Sequence, residues 1–202
     1  MKAVILISGN GSNLQSIIEN ADRIDLQISC VISNNKNAFG LKRAESSKIQ
    51  TYIIEPESFN SKEAFDRELI SIINQNGAEL IVLAGYMRVL TPLFVSNYFG
   101  KILNIHPSLL PKFTGLNTHQ KAIDASEKIH GASVHFVTDK LDGGPIICQE
   151  SVTIEAKDTA KTLSDKVLKI EHVIFPKVIN WYTQRRLKLI NNITATLDGK
   201  II

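Results

Sequence analysis

The 202-residue sequence has little cysteine: Cys30 and Cys148 are its only two, and both sit inside apolar, strand-like runs. Neither stands in a metal-ligand or redox spacing, which argues against a disulfide scaffold, a zinc module or thiol–disulfide chemistry. Buried free thiols in a reducing cytosol are the expectation. Long apolar runs are also missing. The N-terminal one extends only over Ala3–Ile7, too short for a signal segment or a membrane span, so a soluble, cytoplasmic protein with no membrane partner is expected. No block of one charge sign occurs. The net charge is +3, and the densest basic stretch, Gln184-Arg185-Arg186-Leu187-Lys188, reads as a helix end. Charge therefore gives no reason to expect a nucleic-acid partner. The hydrolase signatures Gly-x-Ser-x-Gly and His-Glu-x-x-His are absent, which disfavours a serine-hydrolase elbow and metal hydrolysis, and no metal site is expected.

What is present is an ordinary globular composition. Hydrophobic residues make up 44% and charged residues 21%, enough apolar surface for a core at this length. Apolar strand-like runs alternate with helical spacing. Strands are expected at Lys2–Ile7, Leu26–Ser33, Tyr52–Ile54, Leu80–Ala84 and Lys101–Ile105. Helices are expected after Asn13, over Phe39–Ser47, over Ser61–Asn76 with Ser61 as N-cap and Gly77 as stop, after Pro92, and over His119–Ser126. Gly131–Thr138 and Pro145–Ile154, separated by Asp142-Gly143-Gly144, suggest a hairpin. Asp158 is expected to cap a long helix reaching about Trp181 and kinked by Pro176. Lys188–Ile202 is left as a strand pair or a tail. The fold class is α/β: one doubly wound, mostly parallel sheet with an antiparallel hairpin addition, in a single domain over 1–202.

Two local patterns carry chemistry. The first strand runs into Ser8-Gly9-Asn10-Gly11-Ser12-Asn13 and then a helix. Backbone N–H groups at a helix N-terminus, approached through glycines, favour an anion. Leu14 stands where the third glycine of a dinucleotide fingerprint belongs, and no Gly-Lys-Ser/Thr follows, so a small phosphate ligand is favoured over NAD or a P-loop nucleotide. The alternative is a plain strand-to-helix turn capped by Ser12 or Asn13.

The second pattern is Asn104 and His106, two residues apart at the end of a strand and stopped by Pro107. Side chains alternate along a strand, so the two project to one side while Leu103 and Ile105 face the other. An amide and an imidazole aimed at one point suit an oxyanion, and a carboxylate would steady the imidazolium. Asp142 in the Asp-Gly-Gly turn is the best candidate for that carboxylate. His119, His130, His135 and His172 are assigned no catalytic part. Taken alone, Asn-x-His is also compatible with a hydrogen-bonded strand end.

Asn104-Ile105-His106-Pro107-Ser108-Leu109-Leu110-Pro111, followed by Lys112-Phe113-x-Gly115, resembles the active-site block of the folate-dependent formyltransferases. Four further blocks agree in order: Ile7–Gln15, Leu83-Ala84-Gly85-Tyr86-Met87-Arg88, Ser133–Val137 with Leu141–Pro145, and Glu171-His172 before Pro176. Together they resemble the members that formylate the amine of glycinamide ribonucleotide. That resemblance implies 10-formyltetrahydrofolate as co-substrate, small molecules as partners, and a monomer or homodimer. It implies Asn104, His106 and Asp142 as the catalytic group, with Gly11, Ser12 and Asn13 on the ribotide phosphate and Glu171 on the ribose. It also places the folate against Met87, Arg88, Val89, Leu90, Thr138, Asp139, Lys140 and Leu141, with Lys62 where relatives often carry arginine. Methionyl-tRNA formyltransferase and formyltetrahydrofolate deformylase share the core motif. The first needs a further domain and a basic face, and the second usually carries an N-terminal regulatory domain, so neither is the expected match.

Overall fold

The computed structural model describes all residues, Met1–Ile202. In chain order the elements are β1 (Lys2–Ile7), α1 (Ser12–Asn20), β2 (Gln27–Ser33), α2 (Phe39–Ser46), β3 (Thr51–Ile53), α3 (Lys62–Gln75), β4 (Leu80–Leu83), α4 (Pro92–Asn97), β5 (Ile102–His106), α5 (Thr118–Asp124), β6 (Ile129–Phe136), β7 (Ile146–Thr153), α6 (Ala160–Thr183), β8 (Leu187–Asn191), β9 (Thr194–Leu197) and β10 (Lys200–Ile201). The first seven strands form one sheet in the order β3-β2-β1-β4-β5-β6-β7. It is parallel from β3 to β5 and antiparallel where β6 joins β5 and where β7 joins β6.

Alternation along the buried strands builds both faces. Ala3, Ile5 and Ile7 of β1, with Leu103 and Ile105 of β5, pack beneath Leu14 and Ile17 of α1 and Leu163, Val167, Phe175 and Val178 of α6. Val4 and Leu6, with Ile81, Leu83 and Ile102, meet Phe65, Leu69 and Ile73 of α3 and Phe94 of α4. A run apolar at every position needs helices on both sides of the sheet, and here it has them. The C-terminal segment, left open by its sequence, is a three-stranded antiparallel sheet that contributes Leu187 and Ala195 to the first core.

Helix signals are mostly where expected. Ser61 caps α3 by accepting from the Ala64 N–H, and Thr91 caps α4 ahead of Pro92. The cap of α6 is a correction: it is Thr159, which forms a reciprocal capping box with Thr162. Asp158 instead accepts from Thr162 and the Glu155 N–H and pairs with Lys166. Pro176 lies inside α6 and is buried. A proline has no N–H to give the carbonyl four residues back. That carbonyl, His172 O, accepts instead from Ser16 Oγ at 2.8 Å, which ties α1 to α6.

Between β1 and β4 the strand order reverses direction, so the loops after these strands diverge and open a crevice at their carboxyl ends. Ser8 bridges it: its hydroxyl donates to Asn34 Oδ1 and accepts the Met87 N–H at 2.8 Å. The β6–β7 turn closes the neighbouring side. At Gly144 an added Cβ would stand 1.9 Å from the Phe136 carbonyl oxygen, so Gly144→Ala must displace the turn. Overpacking of this kind costs about 1–3 kcal/mol or more, a fall of roughly 3–10 °C in Tm for a chain of this size. Thermal unfolding checks it, and an unchanged Tm would show the turn to be loosely held.

Candidate active site

Strand β5 presents Asn104 and His106 on the α3–α4 side of the sheet, and antiparallel pairing sets Asn104 opposite His135 and His106 opposite Ser133. Asn104 Nδ2 lies 3.0 Å from His135 Nε2. The other His135 nitrogen, Nδ1, donates to the Phe136 carbonyl at 2.8 Å. A carbonyl only accepts, so Nδ1 carries the proton and Nε2 offers a lone pair to the Asn104 amide. Burial lowers the His135 pKa and favours this neutral ring. The amide is thereby held in one orientation, with its second N–H free.

His106 is anchored in the same way. Its Nε2 donates to the Phe113 carbonyl at 2.9 Å, and its Nδ1 faces Asp142 Oδ2 at 3.6 Å. That separation is an ion-pair contact, longer than a hydrogen bond. Asp142 has a positive φ of 49° and is nearly enclosed, with 8% of its side chain exposed. Its Oδ2 accepts the Gly115 N–H at 2.8 Å, and its Oδ1 approaches His135 Nε2 at 3.9 Å. The hairpin turn and the loop after β5 thus meet through one carboxylate. The three residues expected at the reaction centre are together. His135 is a fourth member that its sequence context does not single out, because only the β5–β6 register puts it beside Asn104.

A cavity adjoins this group. It is lined by Asn104, His135 and Asp142 together with Leu83, Tyr86, Arg88, Val89, Leu90, Val137 and Thr138–Leu141. Arg88, Val89, Leu90, Thr138, Asp139, Lys140 and Leu141, the residues that the family resemblance sets against a folate, thus share the lining of one cavity. Met87 is mostly exposed, and neither it nor Lys62, the exposed first residue of α3, is among the lining residues. The Arg88 guanidinium stacks 4.2 Å above the Phe65 ring, and its buried Nε has no protein partner.

On the other side of the crevice, Gly11 takes a left-handed φ of 74° as N-cap of α1 and supplies no side-chain cap. The N–H groups of Ser12, Asn13 and Leu14 have no intrahelical acceptor. Asn13 Nδ2 donates to Glu171 Oε2 at 2.7 Å across the α1–α6 contact, while its buried Oδ1 has no partner. Burial pushes the Glu171 carboxyl up to about 7, partly offset by Asn13.

The profile of the formyl transferase family matches residues 1–179. The chain belongs to the formyl transferase family. This formyl transferase is 49% identical over 202 residues to phosphoribosylglycinamide formyltransferase of Escherichia coli (strain K12), covering 99% of this chain and 95% of that one. It is 40% identical over 181 residues to the trifunctional purine biosynthetic protein adenosine-3 of Gallus gallus, with 89% of this chain covering 18% of that protein. The solved phosphoribosylglycinamide formyltransferase of Coxiella burnetii superposes with a TM-score of 0.95 at 49% identity, over 100% of this chain and 95% of the other.

Glu171 gives this formyl transferase a pH-dependent stability. Folded, the carboxyl holds its proton to about pH 7, against an ordinary value of 4.5. Between those values the folded state binds more protons than the unfolded one, so stability falls as pH rises. Glu171→Gln removes this effect. The variant is expected to be about 3 kcal/mol more stable than the parent at pH 8 and equal to it at pH 4. Urea unfolding at the two pH values checks this, and an equal gain at both would remove the titration of Glu171 as its cause.

Proposed function

We propose that this chain transfers the formyl group of 10-formyltetrahydrofolate to the amine of glycinamide ribonucleotide, giving formylglycinamide ribonucleotide in purine biosynthesis, and that residues 1–202 form one catalytic domain for it. The observation that supports the reading is that Asn104 and Asp142 line a partly apolar cavity with His106 against Asp142, while the N–H-rich start of α1 follows β1 at the same carboxyl end of the sheet.

In this reading the loop at Gly11, Ser12 and Asn13 takes the ribotide phosphate, where free N–H groups and the helix dipole favour an anion. Glu171 accepts from the ribose hydroxyls, which supply donors to a carboxylate that burial alone leaves poorly stabilised. The folate occupies the cavity against Arg88–Leu90 and Thr138–Leu141, with Met87 and Lys62 toward its exposed end. The ribotide amine attacks the formyl carbon, and the carbonyl oxygen becomes a tetrahedral oxyanion. The free N–H of Asn104 and the Nδ1–H of His106 donate to that oxygen. Such donors, held in place before charge develops, lower the barrier without reorganising. Asp142 balances the imidazolium and, through water, receives the proton that the attacking nitrogen sheds. As the tetrahedral carbon expels N10 of the folate, N10 takes up a proton, so the amine hydrogen is exchanged for the formyl group. Both substrates are small molecules and no metal takes part in this scheme. No helix is long and apolar enough to cross a membrane. The free thiols Cys30 and Cys148 suit a cytoplasmic setting, as a monomer or homodimer.

Loss of 10-formyltetrahydrofolate, followed with and without glycinamide ribonucleotide, tests the assignment. Turnover is expected only with the ribotide. Equal turnover without it would identify a deformylase, and none in either case a binding protein.

A further inference from the structure

The loop assigned to the ribotide phosphate is held from outside by α2, and two contacts determine which way its peptide groups point. Gly40 N–H donates to the Gly9 carbonyl at 3.1 Å. Arg43 Nε–H donates to the Asn10 carbonyl at 3.0 Å, and its Nη2 donates to Asn10 Oδ1 at 3.1 Å. In a trans peptide the carbonyl and the following N–H point in opposite directions. With the Gly9 and Asn10 carbonyls both turned toward α2, the N–H groups of Asn10 and Gly11 turn away from it. The Gly11 carbonyl is taken by the Gln15 N–H at 2.9 Å, which turns the Ser12 N–H out of the helix end. Three consecutive N–H groups are thus presented by three held carbonyls, with Gly11 in the left-handed conformation typical of such an anion nest. The fit leaves no slack. A Cβ on Gly11 would come within 2.5 Å of Gly40 Cα, and Arg43 Cδ lies 3.5 Å from the same point.

The geometry points to Arg43 as the positioning residue of the phosphate subsite: it holds the Asn10–Gly11 peptide in its anion-binding orientation and brings a cation beside the loop. This rests on the reading of that loop as the phosphate site. The Arg43 guanidinium is itself held in place, with Cζ 4.9 Å from the centre of the Phe39 ring, and has no carboxylate partner to neutralise it. Nothing places it against the transferring atoms, so it acts on binding through Asn10 and Gly11.

Calorimetry with ribose 5-phosphate on the whole chain, with tetrahydrofolate as control ligand, tests the inference. Arg43→Met keeps the stem and removes the fork and the charge. It is expected to weaken ribose 5-phosphate binding about tenfold or more, the scale of a lost charge-assisted hydrogen bond, and to leave tetrahydrofolate binding within about twofold. Arg43→Lys restores the charge but not the fork, and part of the affinity returns. In turnover, the KM for the ribotide rises while kcat and the folate KM hold. A role confined to anchoring α2 would lower Tm and leave ribose 5-phosphate affinity intact, and that result overturns the inference. So does equal weakening of both ligands, or a parent protein that binds no ribose 5-phosphate. If ribose 5-phosphate behaves as expected but glycinamide ribonucleotide is not formylated, the acceptor assignment fails and the role of Arg43 stands.

Discussion

Asp142→Asn is expected to lower kcat by about two orders of magnitude or more, the usual share of a positioned acid–base group, with both KM values nearly unchanged. The substitution keeps shape and the acceptor for Gly115 N–H, because the asparagine oxygen can occupy the Oδ2 position 2.8 Å from that nitrogen. What it removes is charge. The carboxylate is the only acidic group paired with His106, at 3.6 Å, in surroundings where it is 8% exposed. Low exposure weakens solvent screening, so the lost Coulomb attraction is larger than for a surface pair. In the proposed scheme a neutral amide also could not receive the proton shed by the attacking nitrogen. Steady-state kinetics with both substrates varied checks this, together with Tm to show that the turn survives. A kcat within threefold of the parent would remove Asp142 from the mechanism.

Asn104→Ala is expected to reduce kcat by roughly 10²–10³, the cost of removing one oxyanion donor. Its side chain is held by His135 Nε2 at 3.0 Å, and His135 in turn by the Phe136 carbonyl at 2.8 Å. The free N–H therefore already points in a set direction, as the proposed role at the formyl oxygen requires. The variant leaves the buried His135 lone pair unpaired, which costs roughly 1–3 kcal/mol of stability. Kinetics are to be measured well below the lowered Tm, with the ribotide KM as control. A kcat that falls only in proportion to the folded fraction would show Asn104 to be structural.

Much of this site is written locally. Asn104 and His106 share a face because side chains alternate, and Pro107 ends the strand directly after them. Ser61, Pro92 and Gly77 mark helix ends through groups within a few residues of the backbone they serve. The cap of α6 shows where such reading fails. Asp158 and Thr159 are adjacent and both are good cap residues. The choice of Thr159 follows from its reciprocal bonds with Thr162, while Asp158 is drawn to Lys166. Lys62 has the charge for a folate contact and stands at the start of α3, outside the cavity lining, where only the exposed end of a bound folate would meet it.

The sequence by itself determined the alternating α/β build, the glycine loop opening α1, and the Asn104–His106 pair at a strand end. Each depends on period, backbone freedom or capping within a short stretch. Tertiary structure alone decided the rest. It brought Asp142 to 3.6 Å from His106, set His135 against Asn104, joined Asn13 to Glu171 and laid Arg43 on Asn10. Each of these contacts is made between separate elements. Its geometry comes from sheet register and helix packing, which are settled by burial of the whole core rather than by neighbouring residues.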